Sequence, residues 1–422
     1  MSVGSIGWVG SVDSVGHCMS TRHERSAPQP PEVFVPTAYR TGYERARWND
    51  PELAHRYVEH TTKGDPLADA AIESMVGLPQ KRIHEIITAG MEEDEAGFRD
   101  APPELRELIE SSSIQPDWFD SKAVYPGCRA FHADSDLYVQ ALVGSSIVWG
   151  FTTLISKSFF TTGRLTDHGV RRLRQNIRQL IEIMIPGGLE RHGEGWKLSV
   201  RIRLIHAQVR YHLRRSDEWD EAEVGTPIHI GHVALAAANF SARVIEAAKR
   251  LGAEPTAEES EAFVQIWRYS GHLMGVPETI LFRSEAEALE LCRVAVACEP
   301  RPTIEGIVMA NALVNSAPVV IGIRKPTERQ HLANYVYRVS RALIGDELAD
   351  KLNYPPQSTR GLLFYLRNKR RLAKRLRRLV PRWEAKAKVD RFTALVDNSQ
   401  LRDPLISYRL PPKLHSDETQ TW

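Results

Sequence analysis

The chain has 422 residues, with 55 Lys and Arg against 53 Asp and Glu, a formal net charge of +2 and 42% hydrophobic residues. Near-balanced charge gives no reason to expect nucleic acid as a partner, and the apolar content suits a large buried core rather than a disordered chain. Cys18, Cys128, Cys292 and Cys298 form neither a CxxC pair nor a CxxCH word, so they read as ordinary thiols in a reducing compartment.

Residues 1–36 lack the basic start and compact apolar run of a secretory signal and contain no twin-arginine word. They read as a disordered leader, and an intracellular, cytoplasmic location is expected. Apolar residues at steps of three and four then predict helices over 68–78 and 81–92. Leu137 to Ser156 is a run of twenty residues without a charge. Gln140, Ser145, Ser146, Thr152 and Thr153 dilute it, so a central buried helix is favoured over a membrane span.

The next predicted helix, Asp167 to Ile185, carries a core stripe of Val170, Leu173, Ile177, Leu180, Ile181 and Met184. Arg171, Arg174 and Arg178 share a wet face, whereas Arg172 belongs with Asn176, Gln179 and Gln175 on a polar strip beside the core. In the following segment, Trp196 to Arg215, Leu198, Ile202, Ile205, Val209 and Leu213 form an apolar stripe, with His206 next to it. Periodicity alone makes His206 a hydrogen-bonded core histidine rather than a ligand.

Helices follow over 230–251, 258–274, 284–297, 328–344 and 361–379, with Pro or Gly in many of the gaps. Val319 to Ile323 is the best strand-like run, short and isolated. Arg367 to Arg378 holds eight basic residues and no acid in twelve positions, interleaved with Leu372 and Leu376. It reads as a solvated helix face or as a peripheral contact with an anionic membrane. The expectation is an all-α protein, with one helical domain over 37–395 and a tail over 396–422. His229 and His232, three apart, suit one helical turn and a divalent metal, but no third ligand lies at a convincing interval, which favours capping or surface roles. Trp219 and Trp267 read as packing residues, and His272 as a pocket-lining one.

Several words in order carry a resemblance: Gly64 to Ala70 (GDPLADA), Gly163 to Thr166 (GRLT), Arg201 to Arg210 (RIRLIHAQVR), Trp219, Gly225 to Ile228 (GTPI), and Trp267 to Tyr269 leading into Gly275 and Val276. Together they resemble the catalytic domain of MpaB-type and rubber oxygenases (latex clearing proteins). The resemblance implies a single multi-helix domain with a globin-like haem-binding core. It further implies a b-type haem held by one histidine and the use of dioxygen to cleave isoprenoid double bonds. Carried over by position, His206 matches the haem-iron ligand and Arg172 the distal arginine. Gln175 stands where the family has a lysine and Asn176 where it has a threonine.

Two departures stand out. An amide at Gln175 is neither an amine ligand nor a cation, and the family's distal glutamate should fall near Ser156 and Lys157, where the sequence has no carboxylate. Either another acid serves or the base is dispensable. On this reading Arg172 and Asn176 donate hydrogen bonds that stabilise charge developing on oxygen, and the partners are dioxygen and a small apolar alkene. The competing reading is a non-catalytic helical haem- or lipid-binding protein on the same scaffold. No Walker A, GxGxxG, GxSxG or HExxH word is present, so nucleotide-dependent, serine-hydrolase and zincin readings lack support.

Overall fold

A computed structural model describes residues 33–161 and 168–378, with a few positions between 382 and 410. Cys18, Gly163 to Thr166, and all of the leader up to residue 32 lie outside the described residues, as does the tail from 396 onward except Leu410. The described residues form helices, turns and loops, without a strand among them. The chain runs through α1 (Arg40–Ala46), α2 (Pro51–Glu59), α3 (Pro66–Ser74), α4 (Gln80–Met91), α5 (Pro103–Ser113) and α6 (Tyr125–Ala133). It continues through α7 (Ser135–Phe151), α8 (Ile155–Thr161), α9 (His168–Met184), α10 (Glu194–Leu213), α11 (Ile230–Ala238) and α12 (Val244–Leu251). The last long helices are α13 (Ala257–Leu273), α14 (Glu285–Cys298), α15 (Ile304–Val320), α16 (Pro326–Ile344) and α17 (Leu362–Arg378).

Local chemistry explains many of the starts. Asp50, Asp65, Ser284 and Thr303 each accept a backbone N–H of the first turn that follows them, and Thr256 with Glu259 completes a reciprocal capping box. Close approach requires glycine where α6 crosses α13. A side chain at Gly127 would strike the backbone of Ala262 and Phe263, so these two helices pack backbone to backbone. Trp196, Trp267, Phe131 and Phe263 are fully buried in one continuous core.

Two expectations change. The uncharged run at 137–156 is not one helix: α7 contains a π-helical turn at Leu142–Ser146, and α8 leaves it at 87°. No single helix among the described residues is long and apolar enough to cross a membrane. The strand-like run at Val319 is instead the end of α15. Val319 and Val320 close that helix and Gly322, at φ +79°, turns the chain out of it. Branched residues at a helix end satisfy the same apolar pattern as a short strand.

α17 divides its cations between two tasks. Arg370 bonds Asp134 and Asp136 at 3.0 and 2.9 Å, and Arg371 bonds Glu254 at 3.0 Å, pinning the helix to the body. Phe364, Tyr365, Leu372 and Leu376 stay exposed with Lys369 and Arg375 between them.

Candidate functional site

α9, α10 and α11, together with α7 and α8, line a predominantly apolar cleft. From α10 come Ile202, Ile205, His206 and Val209, the apolar stripe with its histidine. From α9 come Gln175, Asn176 and Gln179. α11 adds His232, Val233 and small alanines, and a π-helical turn at Asn239–Arg243 contributes Asn239 and Phe240. Such turns widen a helix locally and recur at functional sites.

The helix bearing His206 is clamped three residues before it and four after it. Arg203 donates to both oxygens of Asp65, at 2.5 and 2.9 Å, and Arg210 donates to Asp69 at 2.7 Å. Both carboxylates belong to the start of α3. Asp65 caps that helix through the N–H of Ala68, and Asp69 lies one turn further on. Burial outweighs the attraction of Arg210 and raises the Asp69 carboxyl above its ordinary value. Gly64 and Gly275 allow the approach. A side chain at Gly275, whose φ is +87°, would fall on the Asp65 carboxylate and within 2.9 Å of the Arg203 Nε. Three of the sequence words thus meet in one place.

The GTPI word forms the next support. Gly225 at φ +76° lets the chain pass Thr61, whose carbonyl accepts from Thr226 N at 2.9 Å, and Trp219 donates to the Gly225 carbonyl at 2.9 Å. Trp219 is a packing residue. Ile228 sits at φ +43°, a costly conformation for a β-branched side chain, and its carbonyl accepts from Arg210 at 3.1 Å. The side chain of Ile228 lines the cleft.

Gln175 and Asn176 reach the same cleft from α9, whereas the side chain of Arg172 lies outside the described residues, as does that of Arg171. Arg178 is not on a wet face. It is largely buried, 3.7 Å from Glu182, whose carboxyl burial raises. His272 does not line the cleft. It packs edge-on against Trp118 and stacks on Tyr269. The His206 imidazole, the carboxamides of Gln175 and Asn176 and the apolar surround are a donor set that suits a haem held by a single histidine, and His232 places a second imidazole in the same lining.

His229 and His232 are buried rather than at the surface. His229 caps α11, accepting from the N–H of His232 at 3.0 Å, and the two rings stack at 3.6 Å. Sequence spacing concealed a third acid: Glu299, which follows α14, lies 3.1 Å from Nε2 of His232, and Tyr57 donates to it at 2.6 Å. The ligand atoms of these three groups lie within 4.8 Å of one another, a spacing that suits a metal ion. The tautomer opposes that use. Because Nδ1 of His229 accepts a backbone N–H, its proton is on Nε2, which faces the Tyr39 hydroxyl at 2.9 Å and has no lone pair to offer. Burial also holds the His229 imidazole well below its usual pKa.

The described residues define a class of protein: a helical domain enclosing an apolar cleft with a clamped histidine on its wall. Residues 136–379, more than half of the chain, match the family model described as ER-bound oxygenase mpaB/B'/Rubber oxygenase, catalytic domain, and the chain belongs to that family of oxygenases. It is 26% identical over 186 residues to the rubber oxygenase of Streptomyces sp. (strain K30), a match spanning 42% of this chain and 44% of that protein. The fold is similar to that of latex clearing protein in its closed state, with a TM-score of 0.60 and 20% identity over 82% of this chain and 85% of that one.

Proposed function

We propose that this chain is a haem-b-dependent oxygenase that oxidises or cleaves an apolar, isoprenoid-like alkene with dioxygen. The observation that carries the reading is His206 on the wall of an apolar cleft, at a helix position fixed by the buried Asp65–Arg203 and Asp69–Arg210 pairs. A haem bound there supplies the redox chemistry of dioxygen activation. The protein's own groups do the rest. His206 would be the residue that holds the haem. Arg172 and the Asn176 carboxamide donate hydrogen bonds to charge developing on oxygen, while Gln175, a neutral amide, orients without contributing charge. Ile202, Ile205, Val209 and Phe240 exclude water and accept the hydrocarbon.

The protein works inside the cell, and the outward face of α17 rests on an anionic bilayer through Phe364, Tyr365, Leu372 and Leu376 with Lys369 and Arg375 among them. A membrane would store so apolar a substrate. Gln175 favours a second reading, a haem- or lipid-binding protein without oxygen chemistry. An absorption spectrum of the purified full chain separates the possibilities: a Soret band that H206A abolishes is expected. Colourless protein that takes up no added haem rejects the oxygenase, and haem-replete protein that consumes no oxygen with any alkene favours the second reading.

A further inference from the structure

The last turn of α7 carries a glycine, Gly150, where alanine would hold a helix better. Two needs account for glycine elsewhere in the fold. Gly127 and Gly306 lie against neighbouring backbone, and a side chain at either would strike Phe263 or Phe151. Gly77, Gly322, Gly345 and Gly361 have open space beside them, and each has a φ between +72° and +90°. Gly150 meets neither need. Its φ lies outside the left-handed region, and apart from its chain neighbours and its own helix a Cβ there would meet no atom within 4 Å. Among the described glycines it alone combines open space with ordinary backbone.

That space belongs to the cleft. Ile147, Gly150 and Phe151 share one face of α7, and all three line the cavity. Ile147 and Phe151 are buried, whereas Gly150 keeps accessible surface between them. α8 continues the wall with Ile155 and Phe159. The polar groups of this stretch are turned back on the backbone: at the 87° bend after Phe151, the hydroxyls of Thr152 and Thr153 donate to the carbonyls of Trp149 and Gly150, each at 2.7 Å. The bend is therefore satisfied by side-chain hydroxyls, and the wall formed by α7 and α8 offers a ligand a carbon surface. His206, Gln175 and Asn176 stand on α9 and α10 instead.

We propose that Gly150 sets the length of hydrocarbon that the cleft accepts, its missing side chain leaving room for the tail of the substrate at the wall formed by α7 and α8. The inference takes its hydrocarbon from the oxygenase reading above and narrows the substrate class to isoprenoid chains long enough to reach that wall. The division of labour follows the chemistry of the lining. Amides and the imidazole on α9 and α10 face the double bond under attack, and the carbon wall around Gly150 receives the part of the chain that does not react. A tail held in this way contributes binding energy through each buried carbon, which a side chain at position 150 would displace.

The test measures binding of myrcene and of β-farnesene, a terpene hydrocarbon one isoprene unit longer, to the full-length haem-loaded chain by equilibrium dialysis. Each carbon pushed out of an apolar site costs about fourfold in affinity. G150A should therefore weaken β-farnesene binding about fourfold and G150V by about tenfold or more, while myrcene changes by less than about twofold. Both variants should keep the Soret band, and G150A should melt at the wild-type temperature or up to about 2 °C above it, because alanine favours the helix and meets no neighbour. Unchanged β-farnesene binding by G150V, or an equal loss of both compounds, overturns the length role and leaves the oxygenase reading standing. Loss of haem from G150V overturns it as well, since the space would then belong to the macrocycle, and so does a G150A chain that melts more than about 3 °C below wild type, since the space would not be open. Colourless wild type that takes up no added haem rejects the oxygenase reading instead, and the same selective loss of β-farnesene in that haem-free chain would still support the role of Gly150.

Discussion

The two principal walls of the cleft are built differently. On α10, His206 is bracketed by arginines whose carboxylate partners both come from α3, so a chain segment about 140 residues away fixes where the histidine stands. On α9, the described groups facing the cleft are mainly amides, and the Arg178–Glu182 pair, at 3.7 Å, is longer and lies within the helix itself. The difference separates two jobs. Tethering a ligand needs a position that cannot drift, which long-range buried pairs provide. Under the proposed function, setting reactivity needs only the side chain at a given helix position, and Gln175, standing where the resemblance places a lysine, is the position to test.

The contrast breaks most severely at the clamp. D65A leaves Arg203 buried and uncompensated, and a urea midpoint should report a loss of about 3–5 kcal/mol together with reduced haem retention. A loss under about 1 kcal/mol would mean that the pair does not hold α10. G275A attacks the same clamp from outside. An alanine there is strained at φ +87° and displaces the Asp65 carboxylate, so destabilisation of more than about 1 kcal/mol is expected by thermal or chemical melting.

A pH series probes the wall that carries His232. His229 is fully buried and its pKa is lowered by burial first and then by the nearness of His232, His60 and Arg210, with Tyr39, Tyr57 and Glu299 around the pair. The unfolded chain then binds a proton that the folded one refuses. Stability is fully present above the ordinary histidine pKa of about 6.5 and is lost as pH falls below it, by about 1.4 kcal/mol per pH unit for this one proton. H229N should flatten that slope, and an unchanged slope would show that the proton is taken up elsewhere.

The α9 wall should answer differently. Q175K restores the family's lysine, and the expected result is an altered haem spectrum with stability within about 0.5 kcal/mol of wild type. An unaltered spectrum would place position 175 outside the reach of the iron. Smallest in folding terms is L372E/L376E on α17, which should leave the melting curve alone while weakening binding to vesicles rich in anionic lipid. Unchanged vesicle binding would remove the membrane from the account.

The helical class and most helix positions were legible because apolar residues recur at helical spacing and the gaps carry Pro or Gly. The bend after Phe151 was not, since an uncharged run looks the same whether straight or broken. The short word GDPLADA could be matched to a family, but its task was hidden: nothing local says that Asp65 and Asp69 reach Arg203 and Arg210. Glu299 was missed for the same reason, standing 67 residues beyond His232 with no spacing rule to connect them. Arg172 and its immediate neighbours were read from the sequence, and the side chain of Arg172 is outside the described residues.

Ile228 carries a consequence for how such a pocket changes over evolutionary time. A branched residue forced into left-handed backbone behaves as a loaded spring, storing about 1–3 kcal/mol, and Arg210 is the latch on its carbonyl. Weakening the latch, through a substitution that never touches the guest, would let the start of α11 relax and reshape the chamber from behind. New substrates can then be admitted by mutations in the scaffold while every residue in contact with them stays the same.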